Sequence, residues 1–194
     1  MDHIEYASYL RSRSLAGNLY RKLWLYPRLS KSLKGSTLDI GCGIAGYHKS
    51  WLRIYKGNLT LFDSSTFNFT SLRYGYGSKN RYYNSLNLAN RYLQEFNESN
   101  TQIRIIDSKF KSFSDQKYDL IISFLSWGFH FHLNTYWDEA INSLEIGGLI
   151  ILDIRKFSTS YEFFINNIYN SNLLVLHEME INNRVTRFVA KKIA

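Results

Sequence analysis

Two rhythms of apolar and polar positions divide the chain. Up to residue 34, apolar residues recur at three- and four-residue intervals, as in Ile4, Ala7, Leu10 and Leu15, Leu19, Leu23, and this predicts helices interrupted at Pro27. From residue 35 onward, short apolar runs take over at Thr37–Ile40, Leu59–Phe62, Ile103–Ile106, Tyr118–Phe124 and Leu149–Ile154. Helical patterns fall between them: Tyr47–Tyr55 ended by Gly57-Asn58, Asn87–Phe96 with Leu88, Tyr92, Leu93 and Phe96 on one face, Asn134–Leu144, and Tyr161–Tyr169. Apolar runs alternating with helices predict an α/β fold, a parallel sheet covered on both faces. At the end, Leu173–Ile181 and Arg184–Ile193 flank Asn182-Asn183, which predicts an antiparallel β-hairpin with asparagines accepting the positive φ of a tight turn. The polar stretch 74–84 fits a loop or a helix equally.

Size makes this one domain: 194 residues with 45% hydrophobic content suffice for a core, with 1–34 as a helical cap on a 35–194 body. A dehydrogenase would need a second, substrate-binding domain. The net charge of +8 favours an acidic partner such as a phosphorylated metabolite, nucleic acid or an anionic membrane surface. Much of it lies in the cap, where Arg11, Arg13, Arg21, Lys22, Arg28, Lys31 and Lys34 face only Asp2 and Glu5. Such a segment is either a solvated helix face or a basic cover over a pocket, with Arg13 reaching a carboxylate or phosphate. Cys42 is the only cysteine, so no disulfide forms within the chain, and its place between glycines suits packing better than nucleophilic work. With acids where a signal peptide is basic and no apolar run of bilayer length, a cytoplasmic location is expected.

Candidate chemistry centres on Thr37-Leu-Asp-Ile-Gly-Cys-Gly-Ile-Ala-Gly46, where Gly41, Gly43 and Gly46 have G-x-G-x-x-G spacing between a strand and a helix. Glycines let backbone N–H groups approach a cofactor closely. A dinucleotide site uses the same spacing, but Asp39 at the strand end would repel a pyrophosphate and suit a sulfonium cation. The stretch resembles motif I of class I (Rossmann-like) S-adenosylmethionine-dependent methyltransferases. The resemblance implies a doubly wound, mostly parallel sheet in the order 3-2-1-4-5-7-6, its last strand inserted antiparallel, with S-adenosylmethionine as cofactor. Asp63, 20 residues after Gly43, then accepts the ribose hydroxyls, and Asp107 after the third strand meets the adenine amine. The segment Gly17-Asn-Leu-Tyr-Arg-Lys-Leu-Trp-Leu-Tyr-Pro-Arg-Leu also resembles the lead-in of methyltransferases from bacterial surface-polysaccharide gene clusters, which tilts the acceptor toward sugars.

The loop leaving the fourth strand, Ser123-Phe-Leu-Ser-Trp-Gly-Phe-His-Phe-His132, should lie beside the reactive methyl, since ligands sit beyond the strand ends at the switch in strand order. Ser123 joins the cofactor set there, and Trp127 offers an aromatic wall to the acceptor. For a hydroxyl acceptor His130 is the first choice of base and His132 the second, against a structural role for either. His-x-His without further Cys or His supplies too few ligands for zinc, and Asp138 and Glu139 are explained as first-turn helix residues. Asp153 and Arg155, ending the fifth strand after Gly147-Gly148, either contact substrate or pair with each other, and Asp119 anchors the start of the fourth. The expected activity is O-methylation of a small anionic or sugar-type acceptor. RNA is the alternative, although the Lys-Asp-Lys-Glu set of ribose methyltransferases is not met at Phe124 and Asp153 and the tyrosines form no RNA-binding signature. The rival outside enzymology is a non-catalytic cofactor-binding subunit.

Overall fold

The computed structural model describes residues 35–43, 45–52, 57–64, 85–98, 100–124, 126–129 and 131–194. The expected basic cap over 1–34 with Arg13, the undecided stretch 74–84, and His130 lie outside these residues.

Seven strands form one sheet: β1 (Thr37–Ile40), β2 (Leu59–Asp63), β3 (Ile103–Asp107), β4 (Tyr118–Ser123), β5 (Leu144–Arg155), β6 (Leu173–Asn182) and β7 (Val185–Lys192). Their order is β3-β2-β1-β4-β5-β7-β6, parallel from β3 through β5 and antiparallel at β7 and β6, as the resemblance implied. A right-handed 3-10 turn at Gly46–His48 leads into α1 (Lys49–Leu52); α2 (Leu86–Glu95), α3 (Trp137–Ser143) and α4 (Thr159–Asn167) follow. The period-two rhythm of each strand divides its side chains between two cores. Leu38, Ile40, Ile121, Ile150 and Leu152 pack on one face with Trp137 and Phe164, while Leu61, Leu120, Ile122 and Ile151 pack on the other with Ala89 and Leu93 of α2. Among the described residues no helix is long and apolar enough to cross a membrane.

Local chemistry sets the ends of these elements. Ser85 caps α2 by accepting from the Leu88 N–H, and Ser158 caps α4 by accepting from the Tyr161 N–H. As expected for a strand anchor, Asp119 accepts the Ser36 N–H at 2.8 Å.

Three expectations need correction. The helix over 134–144 divides into a 3-10 turn at Leu133–Thr135 and α3, because Tyr136 adopts a non-helical ψ of 11° between them. Gly147-Gly148 is no turn ahead of β5 but an irregularity within it: the pairing moves from Tyr118↔Leu144 to Leu120↔Leu149, and Gly147 takes φ 85°. In the β6–β7 hairpin neither Asn182 nor Asn183 has positive φ. Asn182 instead accepts the Arg184 N–H on its side-chain oxygen at 2.8 Å, and the register shifts between Glu180 and Asn182.

Candidate functional site

β1 and β4 are neighbours in the sheet but not in the chain, so their connections depart in opposite directions and leave a crevice beyond their C-terminal ends. The glycine loop fills the near side. Gly41 takes φ 75° and donates its N–H to the Phe62 carbonyl at 2.7 Å; a Cβ there would lie 1.9 Å from the Ser126 hydroxyl, so only glycine lets the β4 loop approach this closely. Gly43, with φ 58°, donates its N–H to Asp63 Oδ2 at 2.7 Å.

Asp63 is therefore held from two sides, its other oxygen accepting the Ser64 N–H at 2.7 Å. A carboxylate can accept about four hydrogen bonds, so this anchoring is compatible with binding a diol. Asp107 pairs in register with Asp63 on the next strand, one strand spacing of about 4.8 Å away. Its Oδ1 accepts the Lys109 N–H at 3.0 Å, and the Ser108 N–H returns to the Asp63 carbonyl at 2.9 Å. Gly41, Gly43, Asp63 and Asp107 thus come together at adjoining strand tips.

Asp39 is placed differently. Its carboxylate is fully buried under the loop, 2.9 Å from Nε2 of the equally buried His48. The Cys42 thiol is pushed well above its ordinary pKa, first by burial and then by the negative charges of Asp39 and Asp63. That makes Cys42 a packed, protonated thiol with two carboxylates nearby.

Three residues leaving β4 make structural contacts. Ser123 is buried, donating its hydroxyl to the Ile40 carbonyl at 2.7 Å and accepting the Trp127 N–H at 2.9 Å; it fastens β1 to β4 and has no surface for a cofactor. Trp127 is core, its indole N–H bonded to the Leu133 carbonyl at 2.9 Å, so it cannot line an acceptor site. His132 caps the 3-10 turn, its Nδ1 3.2 Å from the Asn134 N–H and its ring edge-on to Phe163, the structural role set against that of a base. Arg155 lies over the Phe129 ring at 4.4 Å, at the rim of the crevice. It does not pair with Asp153, which instead forms a buried two-point ion pair with Arg187 at 2.6 and 2.7 Å. Among the described residues, no group of three or more His, Cys, Asp or Glu side chains could hold a metal ion.

Two residues emerge that the sequence did not single out. His48 is nine positions beyond Asp39, on the first helical turn, where nothing in the pattern signals a buried partner. Tyr136 packs edge-on against Phe62, Phe113 and Phe131. Burial, then the charges of Asp63 and Glu139, push its pKa up, so its hydroxyl stays neutral.

No protein-family model and no curated protein sequence matches the chain. Its fold matches solved structures. An S-adenosylmethionine-dependent methyltransferase from Clostridium acetobutylicum is 12% identical, with 100% of this chain and 93% of that one covered at a TM-score of 0.58. A methyltransferase from Pyrococcus furiosus is 15% identical over 89% and 83% of the two chains, with a TM-score of 0.57. The ribosomal protein L11 methylase from Lactobacillus delbrueckii subsp. bulgaricus is 12% identical over 82% and 70%, with a TM-score of 0.55. The architecture is that of the class I, Rossmann-like methyltransferases.

Proposed function

We propose that the chain transfers a methyl group from S-adenosylmethionine to an oxygen of an anionic or sugar-type acceptor. The observation that carries this reading is the Asp63 carboxylate, bonded at 2.7 Å to the Gly43 N–H and in register with Asp107 beside the β1–β4 crevice. When bound, the cofactor supplies an electrophilic methyl on a sulfonium centre. Asp63 would hold the ribose hydroxyls, Asp107 the adenine amine and the glycine loop the methionyl end, where the negative charges sensed by Cys42 favour a cation. Tyr136 would add a neutral hydroxyl donor on the adenosine side. Asp39 and His48 act from beneath as positioning residues that fix the loop.

In-line displacement at carbon depends mainly on holding the acceptor close and aligned. His130, between Phe129 and Phe131, is the residue proposed to take the acceptor proton. Arg155 at the rim would meet an anionic group. The sugar component of the reading rests on the lead-in at 17–29 and its resemblance to methyltransferases from surface-polysaccharide gene clusters.

Isothermal titration calorimetry tests the cofactor. S-adenosylmethionine and S-adenosylhomocysteine should bind and NAD should not; Asp63→Ala should weaken binding at least about tenfold, the loss of charge-assisted hydrogen bonds. Binding of NAD with indifference to the other two would overturn the reading. His130→Ala should slow turnover without changing cofactor affinity, and unchanged turnover would remove it as base. Cofactor binding without turnover on any acceptor would favour a non-catalytic subunit.

A further inference from the structure

Two phenylalanines among the described residues stand out in solvent, Phe110 at 79% exposure and Phe157 at 94%. Both lie on the edge of the sheet that carries the crevice: Phe110 three residues beyond the end of β3, Phe157 two beyond the end of β5. Neither sits in a loose loop. The Asp107 carbonyl accepts the N–H groups of Phe110 and Lys111 at 3.0 and 3.1 Å. Around Phe157, the Lys156 N–H is bonded to the Arg184 carbonyl at 2.9 Å, and the Ser158 hydroxyl to the Arg155 carbonyl at 2.6 Å. Phe157 is held in the left-handed region at φ 55°, a conformation that bulky side chains avoid. Backbone strain that keeps an apolar ring in water serves no packing purpose.

Each ring is framed by cations. Exposed Lys109 and Lys111 flank Phe110 in the chain, while Arg155 and Lys156 precede Phe157 and exposed Arg184 is joined to Lys156 through its backbone carbonyl. Acids are also present: Glu180 pairs with Lys156 at 2.7 Å, Glu162 lies in the first turn of α4, and Asp63 and Asp107 belong to the cofactor site. Four strand intervals, roughly 19 Å at about 4.8 Å each, separate β3 from β5, and the β1–β4 crevice lies between them.

We propose that this edge binds a single-stranded nucleic acid, bases stacking on Phe110 and Phe157 and phosphates meeting Lys109, Lys111 and Arg184. Sequence-tolerant single-strand binding needs this combination of aromatic faces and positive charge. The proposal deepens the methyltransferase reading and rests on it for one point only, that the strand crossing the crevice is the acceptor. A sugar-phosphate polymer is both anionic and sugar-bearing, and the net charge of +8 draws it in.

Fluorescence anisotropy with labelled single-stranded RNA, single-stranded DNA and a duplex of equal length tests it on the full chain. Single strands should bind more tightly than the duplex, with affinity falling steeply as salt rises. Phe110→Ala and Phe157→Gly should each weaken binding about tenfold, the loss of one stacked base; glycine at 157 keeps the backbone conformation, so misfolding does not confuse the result. Lys109→Ala with Lys111→Ala should flatten the salt dependence. RNA preferred over DNA, or the reverse, identifies the source of the strand. Absence of single-strand binding, equal binding of duplex, or affinity unchanged in both phenylalanine variants would overturn the proposal. Calorimetry with S-adenosylmethionine on the same preparation separates the two readings: cofactor binding without nucleic-acid binding rejects only this one, and the converse rejects only the cofactor.

Discussion

Phe157 pairs a left-handed backbone with an almost fully exposed side chain, so it carries a conformational penalty of about 1–2 kcal/mol with little burial to offset it. Phe157→Gly removes that penalty and adds back about 0.5–1 kcal/mol of unfolded-state entropy. The variant should be more stable by up to about 1 kcal/mol, seen as a higher urea midpoint at unchanged slope; a lower midpoint would mean that Phe157 has a packing role. Strain of this kind clusters at functional sites. Legibility at this scale followed backbone chemistry. Gly41, Gly43, Asp63 and Asp107 could be placed because glycine spacing and strand ends are written in the order of residues. The structural bonds of Ser123, Trp127 and His132 were not legible, because a hydroxyl, an indole and an imidazole at a strand exit serve a site or a fold equally well, and they depend on the three-dimensional approach of Ile40, Leu133 and Asn134. His48 and Tyr136 were missed for the same reason.

β7 enters the sheet between β5 and β6 and sets Arg187 directly opposite Asp153, where the two form a buried pair, with the guanidinium also over the Phe124 ring at 4.6 Å. Desolvating both charges nearly cancels their attraction, so the pair adds little net stability but is dangerous to break. Arg187→Met should destabilise the fold by about 3–5 kcal/mol by leaving the Asp153 carboxylate unpaired. Asp153→Leu combined with Arg187→Met should recover most of that loss in denaturant titrations. A double variant as unstable as the single one would show that the pair, and not the unpaired charge, matters. The strands themselves were legible from short apolar runs, and the hairpin from two such runs flanking Asn182-Asn183, although its turn uses the Asn182 side chain and not positive φ. Arg187 opposite Asp153 was not, because it depends on the register of an inserted strand, as the Gly147 irregularity depends on how β5 meets β4.

Binding at the strand tips should be felt by the whole molecule, since the proposed ligand contacts the loop after β1 and the ends of β2 and β3 together. A ligand at about one hundred times its Kd stabilises the native state by about 2.7 kcal/mol, provided the unfolded chain does not bind it. Cys42 offers a local reporter of that linkage. Its thiol is buried under the loop and its pKa is raised, so the reactive thiolate is scarce in the native state and labelling must pass through opening. The neutral thiol is favoured by folding, so its contribution is complete below about pH 8.5 and declines as pH rises further, where labelling also accelerates. With S-adenosylhomocysteine at that concentration, reaction of Cys42 with a thiol reagent at pH 8 should slow about a hundredfold. Asp63→Ala should lose most of the protection at the same ligand concentration while leaving the reaction of the unfolded chain unchanged. Labelling that ignores the ligand while the melting temperature rises would put the binding site away from the glycine loop, because a ligand resting there cannot stabilise the molecule without also closing the route to Cys42.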